Sequence, residues 1–479
     1  MQPRPRHPAR TPVAPPGAAR LAAHVPDSRP VPHAADGRSD ALDLAVRCLT
    51  RWAAAPDGDG AAPIPSDPGV PVLAHAVASA DGATPEDVHA AAHAVAVWAR
   101  GAGRGPGHTG LYDGGLAGTL VGLRLGAALH PGLHQVADRL RDRLVDTVAT
   151  RESRTEGVRL ADYDLIVGPA GGLLAQCAGV RPDPAHLAPY RDRLTALCDS
   201  DDLWRLRTDG YERHPHLAWL QGRINTGMGH GAAGVATALT AAVRHAGPEA
   251  AGALRRVTGW LERQEYEDGR GLRTWPGAGL DGRIPSREAA PRQAWCYGAP
   301  GVAWALWDAA DALGEEAAAD RAAEVFTRLA ERYDEGFHLY GEGPADLLGL
   351  CHGAAGVLVV ADAFARHAGH EGAARLRERL AVLLAARLPE ALAPQATDPG
   401  TSPAGPGSGA APDAPGSGPA PGAGPAPGSE PVPGAGGAVP PAAPCWPADL
   451  LTGAPGALAA LLTAARGASR AWLPCLGLR

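Results

Sequence analysis

The sequence predicts an all-α protein and, more specifically, an α/α toroid, a double ring in which inner helices line the centre and outer helices face solvent. Six Gly-x-x-Gly patterns each lead into an apolar stretch of helical length. A helix with one charged face follows most of these stretches. No alternating, β-branched stretch of useful length occurs between them. The six patterns lie at 115–118, 168–171, 231–234, 298–301, 353–356 and 453–456.

The chain begins with a segment, 1–40, that is rich in Pro, Arg and Ala and lacks helical periodicity, so we expect it to be disordered. Apolar residues at helical spacing then predict a helix over 41–55. A second helix is predicted over 85–100, with Thr84 as its N-cap and acidic residues in its first turn. The helices with a charged face are predicted at 134–150, 185–197, 248–264, 315–333 and 371–388.

A single toroid domain is predicted over 41–479, interrupted at 392–445 by a Pro/Gly/Ala/Ser-rich stretch that lengthens the last interval between glycine patterns. Such a stretch is typical of a flexible insertion in a surface loop, because closure entropy grows only with the logarithm of loop length. An open superhelical solenoid is the alternative architecture. The closed ring is favoured because ligand-type residues recur at one place in the repeat, and only a closed ring brings them together. Glycine pairs suit the N-termini of inner helices, where backbones crowd and φ can be positive.

The composition argues against several classes of function. A formal net charge of -7 does not suit a nucleic-acid surface, which needs a basic stripe. No apolar run reaches the roughly 18 to 20 residues of a membrane span, and the N-terminus lacks the apolar core of a secretory signal. The seven cysteines are an odd, scattered set, which fits reduced thiols and a metal better than a disulfide framework. We therefore expect a cytoplasmic protein whose contact with the inner membrane face, if any, is made through partners.

Cys296, Cys351 and His352 form a candidate set of metal ligands, since WCYG and LCHG place them just before glycine turns. Two thiolates and an imidazole suit zinc, and three protein ligands leave a fourth position for water or substrate. Adjacent Cys and His cannot both point inward from a regular helix, whereas a turn at Gly353 can aim both. A buried free cysteine is the alternative, and we prefer that interpretation for the others, Cys48, Cys177, Cys198, Cys445 and Cys475.

Four more residues are candidates for the chemistry. His230 holds, in GMGHG, the place of the histidine in LCHG, so it is a candidate fourth ligand or general acid/base, with a packed histidine as the alternative. Asp164 stands four residues before a glycine pair, where a carboxylate is often a helix cap. Arg292 and Tyr297 flank the cysteine of WCYG, where they could stabilise negative charge on a reacting oxygen or serve as structural donors.

The chain resembles the lanthionine synthetase C-type cyclases, the LanC-like proteins, in five stretches: RQAWCYGAPG, LCHGAAG, NTGMGHGAAG, YDLIVGPAGG and GLYDGGLAG. The resemblance covers about residues 105–360, and DLLTGAPGALAALL is similar to the family's last glycine repeat. It implies a two-layered α-toroid with a central zinc held by Cys296, Cys351 and His352. It also implies that the site is lined by His230, Asp164, Arg292 and Tyr297. The start of the chain, the long insertion and Gly229, where the family pattern has alanine, depart from the family without removing a site residue.

The resemblance also implies an activity: a zinc-dependent cyclase that adds peptide cysteine thiols to dehydroalanine or dehydrobutyrine, forming (methyl)lanthionine rings. His230 would be the acid/base, Arg292 and Tyr297 would stabilise the enolate oxygen, and Asp164 would orient a neighbour. The expected substrate is a dehydrated precursor peptide. A separate dehydratase and an exporter are candidate partners, since the chain has no room for a dehydratase beside the toroid.

Other functions stay open at this point. A LanC-like protein could add glutathione or another thiol to dehydrated residues, or bind zinc and regulate without catalysis. A prenyltransferase-like thiol alkylator would have an Asp/Cys/His ligand set and no adjacent Cys-His pair. An α/α-barrel glycosidase would need two carboxylates at a suitable separation and no thiol ligands. Neighbouring genes for a dehydratase and a precursor peptide would favour ring formation.

Overall fold

Helices alternate between two layers in the computed structural model, which describes residues 36–54, 66–104, 107–285, 288–290, 292–393 and 446–479. In chain order they are α1 (Asp36–Ala54), α2 (Gly69–Ser79), α3 (Pro85–Gly101), α4 (Leu116–Gly126), α5 (Leu133–Thr150), α6 (Pro169–Cys177), α7 (Pro184–Leu197), α8 (Ala232–Ala246), α9 (Ala251–Glu262), α10 (Ala299–Leu313), α11 (Glu316–Arg332), α12 (Glu335–His338), α13 (Pro344–Leu348), α14 (Ala354–His367), α15 (Glu371–Leu392) and α16 (Ala454–Ala465). Two short strands, β1 (Tyr266–Glu267) and β2 (Arg273–Thr274), pair antiparallel.

The inner ring consists of α2, α4, α6, α8, α10, α14 and α16. Each of these helices packs against the next, and α16 packs against α2, so the ring is closed. Inner helices are apolar on nearly all sides, because the outer layer and their neighbours cover them. In α10, for example, every residue from Ala299 to Ala310 is buried. The predicted toroid is therefore confirmed, and the open solenoid is excluded.

The outer layer consists of α1, α3, α5, α7, α9, α11 and α15, and each of them packs against an inner helix next to it in the chain. These helices have one apolar face. In α11 the buried face includes Val325, Phe326 and Leu329, and each such side chain stabilises the fold by roughly 1.5 to 3 kcal/mol. The opposite face of α11 exposes arginines and glutamates. None of the helices among the described residues combines the length and the apolarity that crossing a bilayer requires.

Each predicted glycine pair begins an inner helix, because the turn before the helix folds back onto its first residues. The first glycine of every pair is the N-cap of its helix. A Cβ on the second glycine would lie 1.8 to 2.3 Å from a carbonyl oxygen of that turn, as at Gly356, where the Leu350 oxygen is 2.0 Å away. Backbone crowding is therefore confirmed. Positive φ occurs at only one of the six first glycines, Gly298 (φ 86°).

The last residues of the chain pack inside the ring. Leu473–Leu476 form a turn of 3₁₀-helix with Trp472 as its N-cap, and most of these side chains are fully buried. The carbonyl groups of Leu476 and Gly477 accept hydrogen bonds from the indoles of Trp295 (2.9 Å) and Trp304 (2.8 Å). Because Trp295 immediately precedes Cys296, this segment supports the turn that carries the first candidate ligand.

The predicted outer helices and 85–100 are found with small shifts at their ends, and Thr84 forms the predicted N-cap. The outer helix predicted at 248–264 is a 3₁₀ turn followed by α9. The first helix starts at Asp36, so 36–40 are helical rather than disordered; the rest of the segment 1–40 lies outside the described residues. The last outer helix continues to Leu392, whose carbonyl accepts from Arg51 (3.0 Å). Leu392 therefore belongs to the last outer helix and not to the insertion predicted at 392–445, and 394–445 lie outside the described residues.

Helix α2 is absent from the sequence-based prediction, which gave no helix between 55 and 85. Its N-terminus lacks the glycine pair of the other inner helices, since Gly69 is followed by Val70, Pro71 and Val72. Proline in the first turn is compatible with a helix, because the N–H groups there have no intrahelical partner. The carboxylate of Asp67 fixes this N-terminus instead, accepting from the N–H groups of Gly69 and Leu450, both at 2.8 Å. These bonds join the first and last inner helices.

Candidate functional site

The candidate site lies where the turns that precede the inner helices meet, at one end of the ring. Backbone hydrogen bonds join successive turns. The N–H of Met228 donates to the carbonyl of Cys296 (2.9 Å), and the N–H of Cys296 donates to that of Cys351 (3.1 Å). The N–H of Cys351 donates in turn to the carbonyl of Leu451 (2.9 Å). Side chains at equivalent positions of neighbouring turns are therefore held close together.

The repeat register selects the residues that occupy these positions. Cys296 and Cys351 each stand five residues before the second glycine of their pattern. Four residues before it stand His230, Tyr297 and His352, on three consecutive inner-ring turns. All five belong to the set that the sequence analysis selected, and the turns before α8, α10 and α14 bring them to one region of the ring.

Cys296, Cys351 and His352 form a cluster that could hold a metal ion. Their ligand atoms all lie within 4.8 Å of one another, and no other group of three His, Cys, Asp or Glu among the described residues does so. Cys296 is buried, and the other two are partly buried. Both adjacent residues of LCHG reach the cluster although Gly353 has an ordinary φ of -97°. The turn as a whole, rather than a left-handed glycine, aims them.

The cluster distributes charge unequally between its two thiols. The Cys351 thiol donates a hydrogen bond to Cys296, which lowers the pKa of Cys296 to about 5 against the effect of burial, and His352 lowers it further. The same hydrogen bond, with burial, raises the pKa of Cys351 well above its ordinary value. Burial lowers the pKa of His352, but the Cys296 thiolate and Asp346 outweigh it, so the net shift is upward. A divalent cation would compensate two adjacent thiolates, so the donor set fits a metal of zinc's class.

Asp346, on the short helix α13, fixes the orientation of the histidine in this cluster. Its Oδ1 atom lies 2.8 Å from Nε2 of His352, and its Oδ2 atom accepts from the N–H of Glu342 (3.2 Å). Because Nε2 is occupied, Nδ1 is the ring nitrogen left for the cluster. A carboxylate in this position fixes the tautomer and raises the basicity of a ligating imidazole.

A second histidine, His230, is paired with a buried carboxylate. Its Nδ1 atom lies 2.6 Å from Oδ2 of Asp164, which is fully buried. The other carboxylate oxygen accepts from the N–H groups of Val167 (2.9 Å) and Gly168 (2.7 Å) at the start of α6. Burial lowers the pKa of His230, but the hydrogen bond to Asp164 and the negative charges of Asp164, Asp113 and Cys296 together outweigh that effect and raise the pKa. Because Asp164 takes the Nδ1–H, Nε2 is left to exchange a proton with a ligand.

Arg292 and Tyr297 complete the predicted set. The phenol oxygen of Tyr297 accepts a hydrogen bond from Asn225 (2.7 Å). The guanidinium of Arg292 stacks on the ring of Tyr340 at 4.2 Å. Its charge favours the thiolate form of both cluster thiols, which partly offsets the rise in the pKa of Cys351. Its Nη1 atom is buried and has no hydrogen-bond partner among the described residues. A buried donor without a partner is costly, so this atom is available to an oxygen of a ligand.

Three residues of this region escaped the sequence analysis. Asp346 gave no sequence signal, because it stands on a short helix outside every quoted motif. Asn225 lies inside NTGMGHG and could have been noted as a polar residue next to the histidine turn. Asp113 holds the position of Cys296 in its own repeat, adopts a left-handed backbone (φ 55°) and lies close enough to His230 to feel its charge. The repeat register could have found it.

The geometry thus defines a class of protein: a closed double ring of helices with a Cys₂His cluster and a histidine–aspartate pair where its turns meet. The model of the family described as "Lanthionine synthetase C-like protein" matches residues 71–396, more than half of the chain. The chain therefore belongs to the lanthionine synthetase C-like family. Its structure is similar to that of a protein named "Nisin cyclase", with a TM-score of 0.64 and 17% sequence identity over 92% of this chain and 97% of that chain. No curated protein matches the chain in sequence.

Proposed function

We propose that this protein is a zinc-dependent lanthipeptide cyclase. It would join cysteine thiols of a dehydrated peptide to dehydroalanine or dehydrobutyrine and so form (methyl)lanthionine rings. The observation that carries the proposal is the convergence of Cys296, Cys351 and His352 on one point of the inner ring, beside the His230–Asp164 pair. Membership of the lanthionine synthetase C-like family supports it.

Cys296, Cys351 and His352 would hold the zinc ion. Two sulfurs and one nitrogen match its preferred donors, and three ligands leave one coordination position open. Zinc bound there would lower the pKa of a coordinated substrate thiol and so supply the peptide cysteine as its thiolate. Asp346 would keep the imidazole of His352 in the tautomer that ligation requires.

His230 would supply the proton that completes the reaction. When a thiolate adds to the β-carbon of a dehydro residue, a carbon–sulfur bond forms and the π electrons move toward the carbonyl oxygen. The resulting enolate then takes a proton at its α-carbon. The bond between Nδ1 of His230 and Asp164 raises the pKa of the imidazole, so His230 can carry this proton at neutral pH.

Arg292 and Tyr297 would stabilise the charge that develops on the carbonyl oxygen. Arg292 offers the buried, unpartnered Nη1 donor described above. Tyr297 keeps its proton at neutral pH, because burial raises its pKa well above the ordinary value. Donors fixed in a partly desolvated site stabilise such an oxyanion more strongly than water does. The substrate would be a precursor peptide that a separate dehydratase has already dehydrated.

The proposal is tested with zinc-loaded protein and a synthetic peptide that carries one dehydroalanine and one cysteine. Ring closure leaves the mass unchanged, so a thiol-alkylating reagent distinguishes product, which stays unlabelled, from substrate. With wild-type protein, the peptide that can still be alkylated is expected to disappear as rings close. His230→Asn should close rings about 100- to 10,000-fold more slowly while keeping the zinc content and melting temperature of the wild type. A peptide with serine in place of dehydroalanine is the control.

Three outcomes would count against parts of this proposal. Zinc-loaded wild type that leaves every thiol open to alkylation would overturn the cyclase assignment. Loss of zinc in His230→Asn would make that residue a fourth ligand instead of an acid/base. Addition of free glutathione to a cysteine-free dehydrated peptide, without ring closure, would favour intermolecular thiol addition.

A further inference from the structure

Asn225 is fully buried in the turn before α8 and is held at both ends of its amide. Its Oδ1 atom accepts a hydrogen bond from the N–H of Gly227 (2.7 Å), and its Nδ2 atom donates to the phenol oxygen of Tyr297 (2.7 Å). A backbone N–H can only donate, so the atom facing Gly227 must be the amide oxygen. The atom facing Tyr297 is therefore the nitrogen, which can only donate.

This polarity determines what the phenol of Tyr297 can do. Its oxygen uses a lone pair to accept from Asn225, so its own proton takes no part in that contact. A phenol with an ordinary pKa of about 10 keeps its proton at neutral pH. Asn225 is the only hydrogen-bond partner of the phenol within the described residues, so the O–H remains free to donate to a ligand.

The position of Tyr297 places this free donor in the reaction region. Around the inner ring its register position lies between those of His230 and His352. The absence of a side chain at Gly227 makes room for the phenol ring, because a Cβ there would lie 2.8 Å from its Cδ1 and Cε1 atoms. The ring is thus fixed between the candidate proton donor and the metal-ligand cluster.

We propose that Asn225 is a positioning residue that makes Tyr297 a hydrogen-bond donor toward the reacting carbonyl oxygen. This inference rests on the proposed function. As the carbon–sulfur bond forms, the π electrons of the double bond move onto that oxygen, and the α-carbon takes its proton from His230. Throughout these steps the O–H of Tyr297 points at the oxygen that gains charge. A residue that accepted the phenol proton would remove this donor without moving the ring.

Asn225→Asp makes that change, because the side chain keeps its shape but an ionised carboxylate can only accept. It still accepts from Gly227, and it turns the phenol proton away from the ligand. We expect kcat for ring closure to fall about 100- to 1,000-fold above neutral pH, as in Tyr297→Phe, with little change in KM. Activity should recover in part as pH falls and the introduced carboxyl is protonated, because it then donates again.

Asn225→Ala is the matched control. It removes the contact but leaves the phenol proton free, so its loss of kcat should be smaller than that of Asn225→Asp or Tyr297→Phe. A purely structural role predicts that the loss of kcat follows the loss of melting temperature in both variants, because an ionised carboxylate buried in this turn also destabilises it. The double variant Asn225→Asp/Tyr297→Phe should be no slower than Tyr297→Phe, because both changes remove one donor. Additive losses, or a larger loss in Asn225→Ala than in Asn225→Asp, would overturn the proposal.

Two further measurements keep the inference testable. If Asn225→Asp does not fold, Asn225→Ala must still close rings faster than Tyr297→Phe, and equal rates contradict the inference. The ¹³C resonance of the Tyr297 ring carbon that bears the oxygen, assigned with Tyr297→Phe, reports the direction of the hydrogen bond without any activity. If the wild type closes no rings but the resonance shifts in Asn225→Asp, the proposed function is contradicted and the hydrogen-bond assignment stands. An unshifted resonance would refute the assignment itself.

Discussion

The turns before α14 and α16 have the same construction but different contents. In each, a fully buried leucine, Leu350 or Leu450, places its carbonyl oxygen against the second glycine of the pattern, at 2.0 and 1.8 Å from where a Cβ would be. The turn before α14 then presents Cys351 and His352. The turn before α16 presents leucine and threonine at the same two positions. The scaffold thus depends on the glycines and the leucine, and the chemistry depends on two positions that the scaffold leaves free.

The polar groups of the α16 turn serve the backbone instead of a ligand. Asp449 accepts hydrogen bonds from the N–H and the hydroxyl of Thr452, both at 2.7 Å. In the α14 turn the residue equivalent to Asp449 is Gly349, so no carboxylate engages the histidine from that place. Asp346, three residues earlier, engages it through Nε2 and leaves Nδ1 for the cluster. Two turns of one design therefore differ in whether their side chains are used for structure or left for ligation.

The largest effect is expected from giving the α14 turn the residues of the α16 turn. The double variant Cys351→Leu/His352→Thr should keep the helical circular dichroism and lose essentially all bound zinc, because one ligand cannot hold the ion. Metal analysis after purification without chelators measures this, with about one equivalent expected for wild type. Cys198→Ala, which changes a fully buried cysteine outside the cluster, should retain its zinc. Zinc in the double variant at the wild-type level would exclude the cluster as the metal site.

The comparison also shows what could be predicted from the sequence. The first five glycine pairs and the apolar stretches after them predicted five inner helices in their order. The sixth pair predicted α16 despite the long interval before it. Helix α2 escaped because it lacks a glycine pair. Asp67 fixes its N-terminus through a local hydrogen bond from Gly69 and a long-range one from Leu450, and no local pattern predicts the second. The residues Cys296, Cys351 and His352 were found through the register. Asp346 and Asn225 were not, because their roles depend on which side-chain atom each one faces.

A smaller effect is expected from Asp346→Asn, which tests whether the carboxylate distinguishes the α14 turn from the α16 turn. The variant keeps the shape but removes the charge that supports the imidazole of His352. We expect zinc affinity to fall about 10- to 100-fold, with the melting temperature of the metal-free protein unchanged, because the carboxylate is partly exposed. Competition with a chromogenic chelator measures the affinity. Equal affinity in variant and wild type would show that the 2.8 Å contact does not support ligation.

The smallest effect is expected from Gly229→Ala, at the position in the α8 turn that corresponds to Cys351 in the α14 turn. A Cβ at Gly229 would meet only Ile166, at 3.4 and 3.5 Å, which is ordinary van der Waals contact, and its φ is not positive. Alanine reduces the conformational freedom of the unfolded chain, so this variant should be about 0.4 to 1 kcal/mol more stable. The measurement is the midpoint of chemical denaturation.

Gly356→Ala is the matched opposite, because its Cβ would lie 2.0 Å from the carbonyl oxygen of Leu350. It should destabilise the protein by about 1 to 3 kcal/mol or more, since the backbone must move to relieve the contact. The two variants add the same methyl group to turns of the same design, one at a position free for side chains and one at a position that the scaffold needs. If Gly229→Ala proved as destabilising as Gly356→Ala, the division of each turn into scaffold and free positions would be wrong.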